Sequence, residues 1–196
     1  MESTTGPGCS VWCYSIGLPS PTKTFHTKAV GVAPDFLGKS AKKTAAAIAF
    51  RKSQVVQNLA TCVSLLFASI DPYTWSKYRE VYRLAASHIP LLKDLDPEDC
   101  HCFVGHYLVI NMFTTPHYDI TDPPKGWVAM AVVGNYTNGN LVIPELGIII
   151  LYQSGDIVFI RPWMLLHFIN EYSGPERFVI VFSTTYSIFE WLEKTF

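Results

Sequence analysis

No apolar run in this chain approaches the ~20 residues that a membrane span needs, so no membrane partner is expected. The N-terminal stretch, residues 1–8, lacks a basic segment followed by an apolar one, so no secretory leader is expected. Charge is sparse, 16% of residues against 49% hydrophobic, which excludes a solvated, disordered chain. Cysteine appears only as five scattered residues, an odd number without the spacing of a disulfide framework. A reducing, intracellular setting, nuclear or cytoplasmic, fits that usage. Repeats and low-complexity tracts are absent too. What is present is 196 residues, enough for one domain with a full core.

The net charge of −1 conceals an asymmetry. Residues 1–93 hold 11 Lys/Arg and 4 Asp/Glu, whereas residues 94–196 hold 4 and 12. A basic half of this kind serves either as a solvated helical face or as a surface for the phosphates of DNA or RNA. Residues 1–40, rich in Gly, Pro, Ser and Thr, read as a loosely structured arm. Ser40 is placed to cap a helix. Residues 41–69 carry apolar positions at three- and four-residue spacing and read as one continuous helix. Asp71-Pro72 breaks it. A second helix over 73–88 puts Tyr78, Val81, Tyr82 and Ala85 on one face and ends at Pro90. Residues 94–99 read as an acidic connector, which makes 41–99 a helical support.

After residue 100 the texture changes to short β-branched and aromatic segments. Strands are expected near 103–113, 127–133, 140–143, 147–152, 156–161, 164–169 and 177–184. Asn138-Gly139 signals a tight turn between two of them. Many short, evenly spaced strands point to a sandwich or jelly roll. Residues 188–194 read as a short closing helix. The fold class is therefore α+β, with a β core over 100–196 and the helices packed on one sheet.

His117-Tyr118-Asp119 stands at the edge of the apolar run 107–113, His167 follows the run 157–160, and Arg177 opens the run 178–182. A lone His-x-Asp is weak, because this composition supplies about half of one such hit by chance. The ordered context is stronger. Residues two apart on a strand face one side, as two ligands of one ion require. Two imidazoles and a carboxylate suit a non-haem iron and leave other positions open. A structural zinc would take four protein ligands. An arginine just beyond the second histidine can hold a substrate carboxylate through a bidentate pair.

These residues carry a resemblance. Pro116-His-Tyr-Asp-Ile-Thr-Asp122, Gly126-Trp-Val-Ala-Met130, Gly139-Asn-Leu-Val-Ile-Pro-Glu-Leu-Gly147, Tyr152-Gln-Ser-Gly-Asp-Ile-Val-Phe159, Leu166-His167 and the Arg177 strand form an ordered set. Over residues 106–184, about 40% of the chain, it resembles the Fe(II)/2-oxoglutarate dioxygenases. The nearest branch is that of the ten-eleven translocation enzymes and base J-binding proteins, and its fungal members in particular. The resemblance implies a double-stranded β-helix with Fe(II) on His117, Asp119 and His167. It implies that Arg177 pairs with the distal carboxylate of 2-oxoglutarate, with Arg161 as a rival. It implies consumption of O₂ and 2-oxoglutarate to oxidise a substrate C–H bond.

The resemblance further implies that the target is the 5-methyl group of a pyrimidine (5-methylcytosine or thymine) in nucleic acid, flipped from its stack and read by edge contacts and aromatic stacking. Asp122 would read the base, or is simply a turn former before Pro123-Pro124. Tyr118, Trp127 and Tyr136 would wall the pocket. The same chemistry on a small molecule, an amino acid or secondary metabolite, is the alternative. Asn111 either faces the site, where its amide would bind 2-oxoglutarate or substrate, or serves the backbone. Cys100-His101-Cys102 with His106 lacks the paired spacing of a zinc site and reads as packed or surface residues. His26 and His88 read as surface or loop residues. Lys42-Lys43 and Arg51-Lys52 read as solvated helix faces.

Overall fold

A computed structural model of the chain describes residues 10–14, 16–17, 31–32, 41–96 and 101–195. Ser40, His26, Cys100 and residues 97–99 of the expected acidic connector lie outside the described residues. The chain divides into two compact units. One is made of Met1–Trp12 and Tyr107–Val181, and the other of Cys13–His106 and Phe182–Phe196.

The strand-rich unit is built on two sheets. The first has the order β1 (Ser10–Tyr14), β4 (Gly105–Ile110), β10 (Tyr172–Ser183), β5 (Val128–Asn138), β8 (Ile157–Ile160). The second has the order β7 (Ile148–Ile150), β6 (Leu141–Ile143), β9 (Phe168–Ile169). β5 and β8 run antiparallel with Val128 opposite Ile160, and β6 pairs antiparallel with both β7 and β9. The turn at Asn138-Gly139 is present, with φ of 64° and 69°. It does not close a hairpin: it carries the chain from β5 in one sheet to β6 in the other. Val128, Met130, Val132, Leu141, Ile143, Tyr152, Ile160 and Val179 form the core of this unit. Each fully buried aliphatic side chain there contributes about 1.5–3 kcal/mol.

β5 and β10 approach closely because two glycines permit it. A Cβ on Gly134 would stand 2.2 Å from the carbonyl oxygen of Glu176, and one on Gly174 would stand 2.4 Å from that of Asn135. Both positions have φ near 140°, which side-chain-bearing residues rarely adopt. This contact fixes Tyr136 and Arg177 as neighbours.

The helical unit contains the short pair β2 (Ile16–Gly17) and β3 (Gly31–Val32), then α1 (Ala41–Lys52), α2 (Gln54–Ile70), α3 (Pro72–His88), α4 (Pro90–Leu95) and α5 (Tyr186–Thr195). The continuous helix expected over 41–69 is interrupted at Ser53, with a 55° bend between its halves. Ser53 takes an extended ψ of 138° and its hydroxyl accepts from Val56 N, which makes it the N-cap of α2. Asp71 both ends α2 and caps α3, accepting from Thr74 N. Pro72 follows at the first position of α3, where a missing N–H costs nothing. Pro90, expected only to end a helix, opens α4. Among the described residues no single helix is long and apolar enough to cross a membrane.

Arg51 is not the solvated cation the sequence suggests. It is fully buried and forms an ion pair with Asp96 through Nη2 and Oδ2. Its Nε donates to Asp96 Oδ1 at 3.0 Å and its Nη1 to Val104 O at 2.9 Å. Tyr82 donates its hydroxyl to the same carboxylate at 2.7 Å. Burial alone would raise the Asp96 pKa, but the Arg51 guanidinium outweighs it and holds the carboxyl far below the usual range. His101, Cys102 and His106 are likewise buried, as packed side chains. Lys42 and Lys52 are exposed as expected, and so is His88.

Candidate metal and co-substrate site

His117 and His167 face one another as an isolated antiparallel bridge. Each donates its backbone N–H to the carbonyl of the other at 3.1 Å. Asp119 N bonds Pro162 O at 3.0 Å, which fixes the following turn of the same segment. Main-chain bonds therefore join the two histidine-bearing segments at more than one place, and His167, expected within a strand over 164–169, instead immediately precedes the short β9. Residues two apart in the extended 117–119 segment still present their side chains to one place.

The side chains complete the arrangement. His117 Nδ1 donates to Thr115 O at 2.7 Å, and His167 Nδ1 to Leu165 O at 3.0 Å. Each imidazole is thus tied by its Nδ1–H to the carbonyl two residues earlier, which fixes the tautomer and directs the Nε2 lone pair inward. Those Nε2 atoms stand 3.7 and 3.8 Å from the two oxygens of Asp119. Those distances exceed a hydrogen bond and suit donors that share an ion. One donor atom from each of the three residues lies within 4.8 Å of the others. Burial lowers the His167 pKa, which favours the neutral imidazole that a metal requires. The donor set therefore fits a divalent ion of the iron type, with room for further ligands. Among the described residues no other group of His, Cys, Asp or Glu is so placed.

Arg177 lies in the middle of β10, not at its start, and is only 1% exposed. No carboxylate is within ion-pair distance of it among the described residues. Its Cζ sits 5.3, 5.5 and 5.7 Å from the ring centroids of Tyr136, Tyr152 and Tyr172. Its Nη1 makes one long contact to Met112 O at 3.5 Å, while Nε and Nη2 have no hydrogen-bond partner. Burial lowers its pKa. A buried cation with two idle donors is costly unless something brings it an anion. The Tyr152 hydroxyl is also buried and without a partner. Gly139 keeps the space beside Arg177 open: a Cβ there would stand 3.1 Å from Arg177 Nε. The arrangement fits a carboxylate guest.

Asn111 adopts a left-handed φ of 49°. Its Nδ2 donates to Pro175 O at 3.4 Å, its Oδ1 accepts from Arg177 N at 2.8 Å, and its own N–H donates to Arg177 O at 2.8 Å. The amide expected to bind the co-substrate thus grips the backbone that carries Arg177. Arg161, the rival anchor, stacks its guanidinium 4.5 Å above Trp127. That contact also occupies the ring of Trp127 expected to wall a pocket. Tyr136 sits beside Arg177 and donates its hydroxyl to Tyr152 O at 2.8 Å. Tyr118 is exposed and donates to Glu145 Oε1 at 2.6 Å. Asp122 is buried, and burial together with the Asp119 charge raises its pKa to about 7.

Three site neighbours had no role in the sequence reading: Glu145, Tyr152 and Tyr172. Tyr152 and Glu145 each stand inside a segment that carries the resemblance, but no spacing rule marks a residue whose partner is distant in sequence.

The family model described as the oxygenase domain of the 2OGFeDO superfamily, Tet_JBP, matches residues 37–185. The structure of NgTET1 in complex with 5mC DNA is similar to this chain with a TM-score of 0.65 at 14% identity, covering 90% of this chain. The chain spans 61% of that protein's length. The polyketide cyclase RemF from Streptomyces resistomycificus aligns at 24% identity over 41% of this chain and 54% of its own, but with a TM-score of 0.28 that carries no argument. No curated protein is significantly similar to the chain. At 14% identity the NgTET1 likeness shows the fold alone, an α+β double-stranded β-helix.

Proposed function

Because the chain belongs to the Tet_JBP family of Fe(II)/2-oxoglutarate oxygenases, we propose that it oxidises the 5-methyl group of a pyrimidine base in nucleic acid. The observation that carries this reading is the pairing of a preorganised His117–Asp119–His167 triad with the buried Arg177, whose Nε and Nη2 have no hydrogen-bond partner. In the proposal His117, Asp119 and His167 hold the iron. Arg177 takes the distal carboxylate of 2-oxoglutarate in a bidentate pair, with Tyr152 beside it. When bound, the iron would supply the oxidising chemistry, with O₂ and 2-oxoglutarate consumed and succinate and CO₂ formed.

The remaining residues bind, orient and exclude water. Asn111 and the glycines of β5 and β10 keep Arg177 in place. In the proposal Asp122, whose buried carboxyl has a raised pKa, meets the edge of a base, where one oxygen accepts from an exocyclic amino group. NgTET1, whose structure holds 5mC DNA, supports a methylated base as the target. The basic half expected to meet phosphates is narrower than its sequence suggests, because Arg51 and Arg79 are buried.

A second reading is favoured by the charge of the strand-rich unit. Residues 107–181 carry three Lys/Arg and six Asp/Glu. Of the three cations, Arg177 is buried and Arg161 stacks on Trp127. Tyr118, Ile120, Trp163 and Met164 are exposed apolar side chains on the segments around the triad. A small apolar substrate suits such surroundings. Mass spectrometry separates the readings: methylated oligonucleotides and free small molecules are incubated with Fe(II), 2-oxoglutarate and air. Oxidised base in the oligonucleotide supports the first reading, and turnover of free small molecules alone supports the second. Succinate from neither, together with no charge-transfer band under anaerobic Fe(II) and 2-oxoglutarate, would refute both.

A further inference from the structure

Glu145 lies in the short 3-10 turn Pro144–Leu146 that joins β6 to β7. Its place is set firmly. Ile143 pairs with Ile148 across the hairpin, and Gly147, with φ of 63°, closes the turn by donating its N–H to Pro144 O at 3.0 Å. From there one carboxylate oxygen, Oε1, accepts two hydrogen bonds. One comes from the Tyr118 hydroxyl at 2.6 Å and the other from Leu166 N at 3.0 Å. Tyr118 lies between His117 and Asp119, and Leu166 precedes His167. A single atom thus grips the residue adjacent to each histidine.

We propose that Glu145 is a positioning residue for the metal site, a cross-tie that keeps the two histidine segments from splaying. This rests on the iron assignment to His117, Asp119 and His167. Main-chain bonds at Thr114–Ile169, His117–His167 and Asp119–Pro162 already join the two segments to each other, but none of them ties either segment to the turn between β6 and β7. Glu145 adds a side-chain tie from that turn, reached through Tyr118 on one segment and Leu166 on the other. Charge-assisted hydrogen bonds of this kind are roughly twice as strong as neutral ones. Loss of a group bonded directly to a metal ligand typically costs roughly 10–100-fold in affinity; Glu145 is exposed and bonds the residue beside each histidine, so a smaller loss is expected.

The test is Co(II) and Fe(II) titration of the metal-free protein, followed by the Co(II) d–d spectrum, without 2-oxoglutarate or O₂. Glu145→Ala is expected to weaken metal binding by about threefold to tenfold, at or below the low end for direct ligand partners, and to shift the d–d bands. Glu145→Gln keeps an acceptor oxygen and is expected to restore most of the affinity. Tyr118→Phe removes one of the two donors and is expected to give a smaller loss in the same direction. Unchanged affinity and spectrum in Glu145→Ala would overturn the proposal, and so would a fall in thermal midpoint with metal binding intact. If Glu145→Ala does not fold, Tyr118→Phe decides alone, and an unaltered metal affinity there overturns the cross-tie. Failure of the unsubstituted protein to bind either ion would count against the iron assignment itself, a result distinguishable from any effect confined to the variants.

Discussion

Among the described residues, Arg51 in the helices and Arg177 in the strands are the two largest fully buried side chains, and the chain treats their charges in opposite ways. Arg51 spends its donors on Asp96 and Val104 O, and Tyr82 completes the carboxylate. Arg177 meets three tyrosine rings and keeps two nitrogens idle. The aromatic faces offset part of its desolvation, about 0.5–2 kcal/mol for each good contact, but they are no substitute for an anion. Burial by itself therefore does not distinguish a structural charge from a binding one. The state of the donors separates the two: Arg51 is satisfied within the fold, whereas Arg177 keeps two donors open for the carboxylate proposed above.

The contrast can be broken most severely at Asp96. Asp96→Ala leaves Arg51 buried and unpaired and is expected to cost about 3–5 kcal/mol, read as a large drop in the urea midpoint. A loss below about 1 kcal/mol would mean that the pair is not structural. Arg177→Met should do the reverse. Stability in the absence of co-substrate is expected to stay within about 1 kcal/mol or to rise, because no charged partner is orphaned and only the long bond to Met112 O is lost. The 2-oxoglutarate concentration needed for half-maximal succinate release should rise by at least 30-fold, about the 2 kcal/mol lost with a buried charge pair. An unchanged requirement would move the anchor to Arg161.

Smaller effects sharpen the same comparison. Tyr82→Phe removes a hydroxyl bonded to a buried carboxylate and should cost about 1.5–3 kcal/mol. Tyr152→Phe removes a hydroxyl with no partner and should leave the co-substrate-free protein within about 0.5 kcal/mol of its starting stability. Equal costs for the two would erase the distinction between the sites. Finally, His106 is buried with neither ring nitrogen bonded, and burial, reinforced by Arg51, pushes its pKa well below 6.5. The unfolded chain binds this proton near pH 6.5 and the folded chain does not. Stability should therefore be full above that pH and fall as the pH drops below it, by at most about 1.4 kcal/mol per pH unit. Urea midpoints of His106→Phe between pH 5 and 7.5 should show a shallower slope than the unsubstituted chain, and identical slopes would assign the proton elsewhere.

How far the sequence discloses this arrangement depends on the range of each interaction. The triad and Arg177 are legible because their order survives as local motifs at the ends of apolar runs. The β-rich half is legible in its texture, although β10 starts at Tyr172, earlier than expected. Arg51 looks like a surface cation because its partner lies 45 residues away. Ser53 looks like a helix interior residue because a serine announces a cap only when the chain bends there. Tyr136 and Trp127 read as pocket walls because aromatic residues near a motif carry no mark of what they touch, and in the fold they flank Arg177 and Arg161. Asn111 is similar: its left-handed backbone and its grip on β10 appear only in three dimensions.

The reciprocal main-chain bonds between His117 and His167 bear on which metal the protein acquires. Ligands held by backbone are arranged before an ion arrives, so an incoming ion neither folds the segment nor selects among shapes of it. Under those conditions cobalt, nickel and zinc compete on intrinsic affinity, and the order of divalent affinities places Fe(II) near the weak end. A site built in this way holds iron because of what its surroundings supply, and purification in the presence of other divalent ions is expected to yield protein loaded with them.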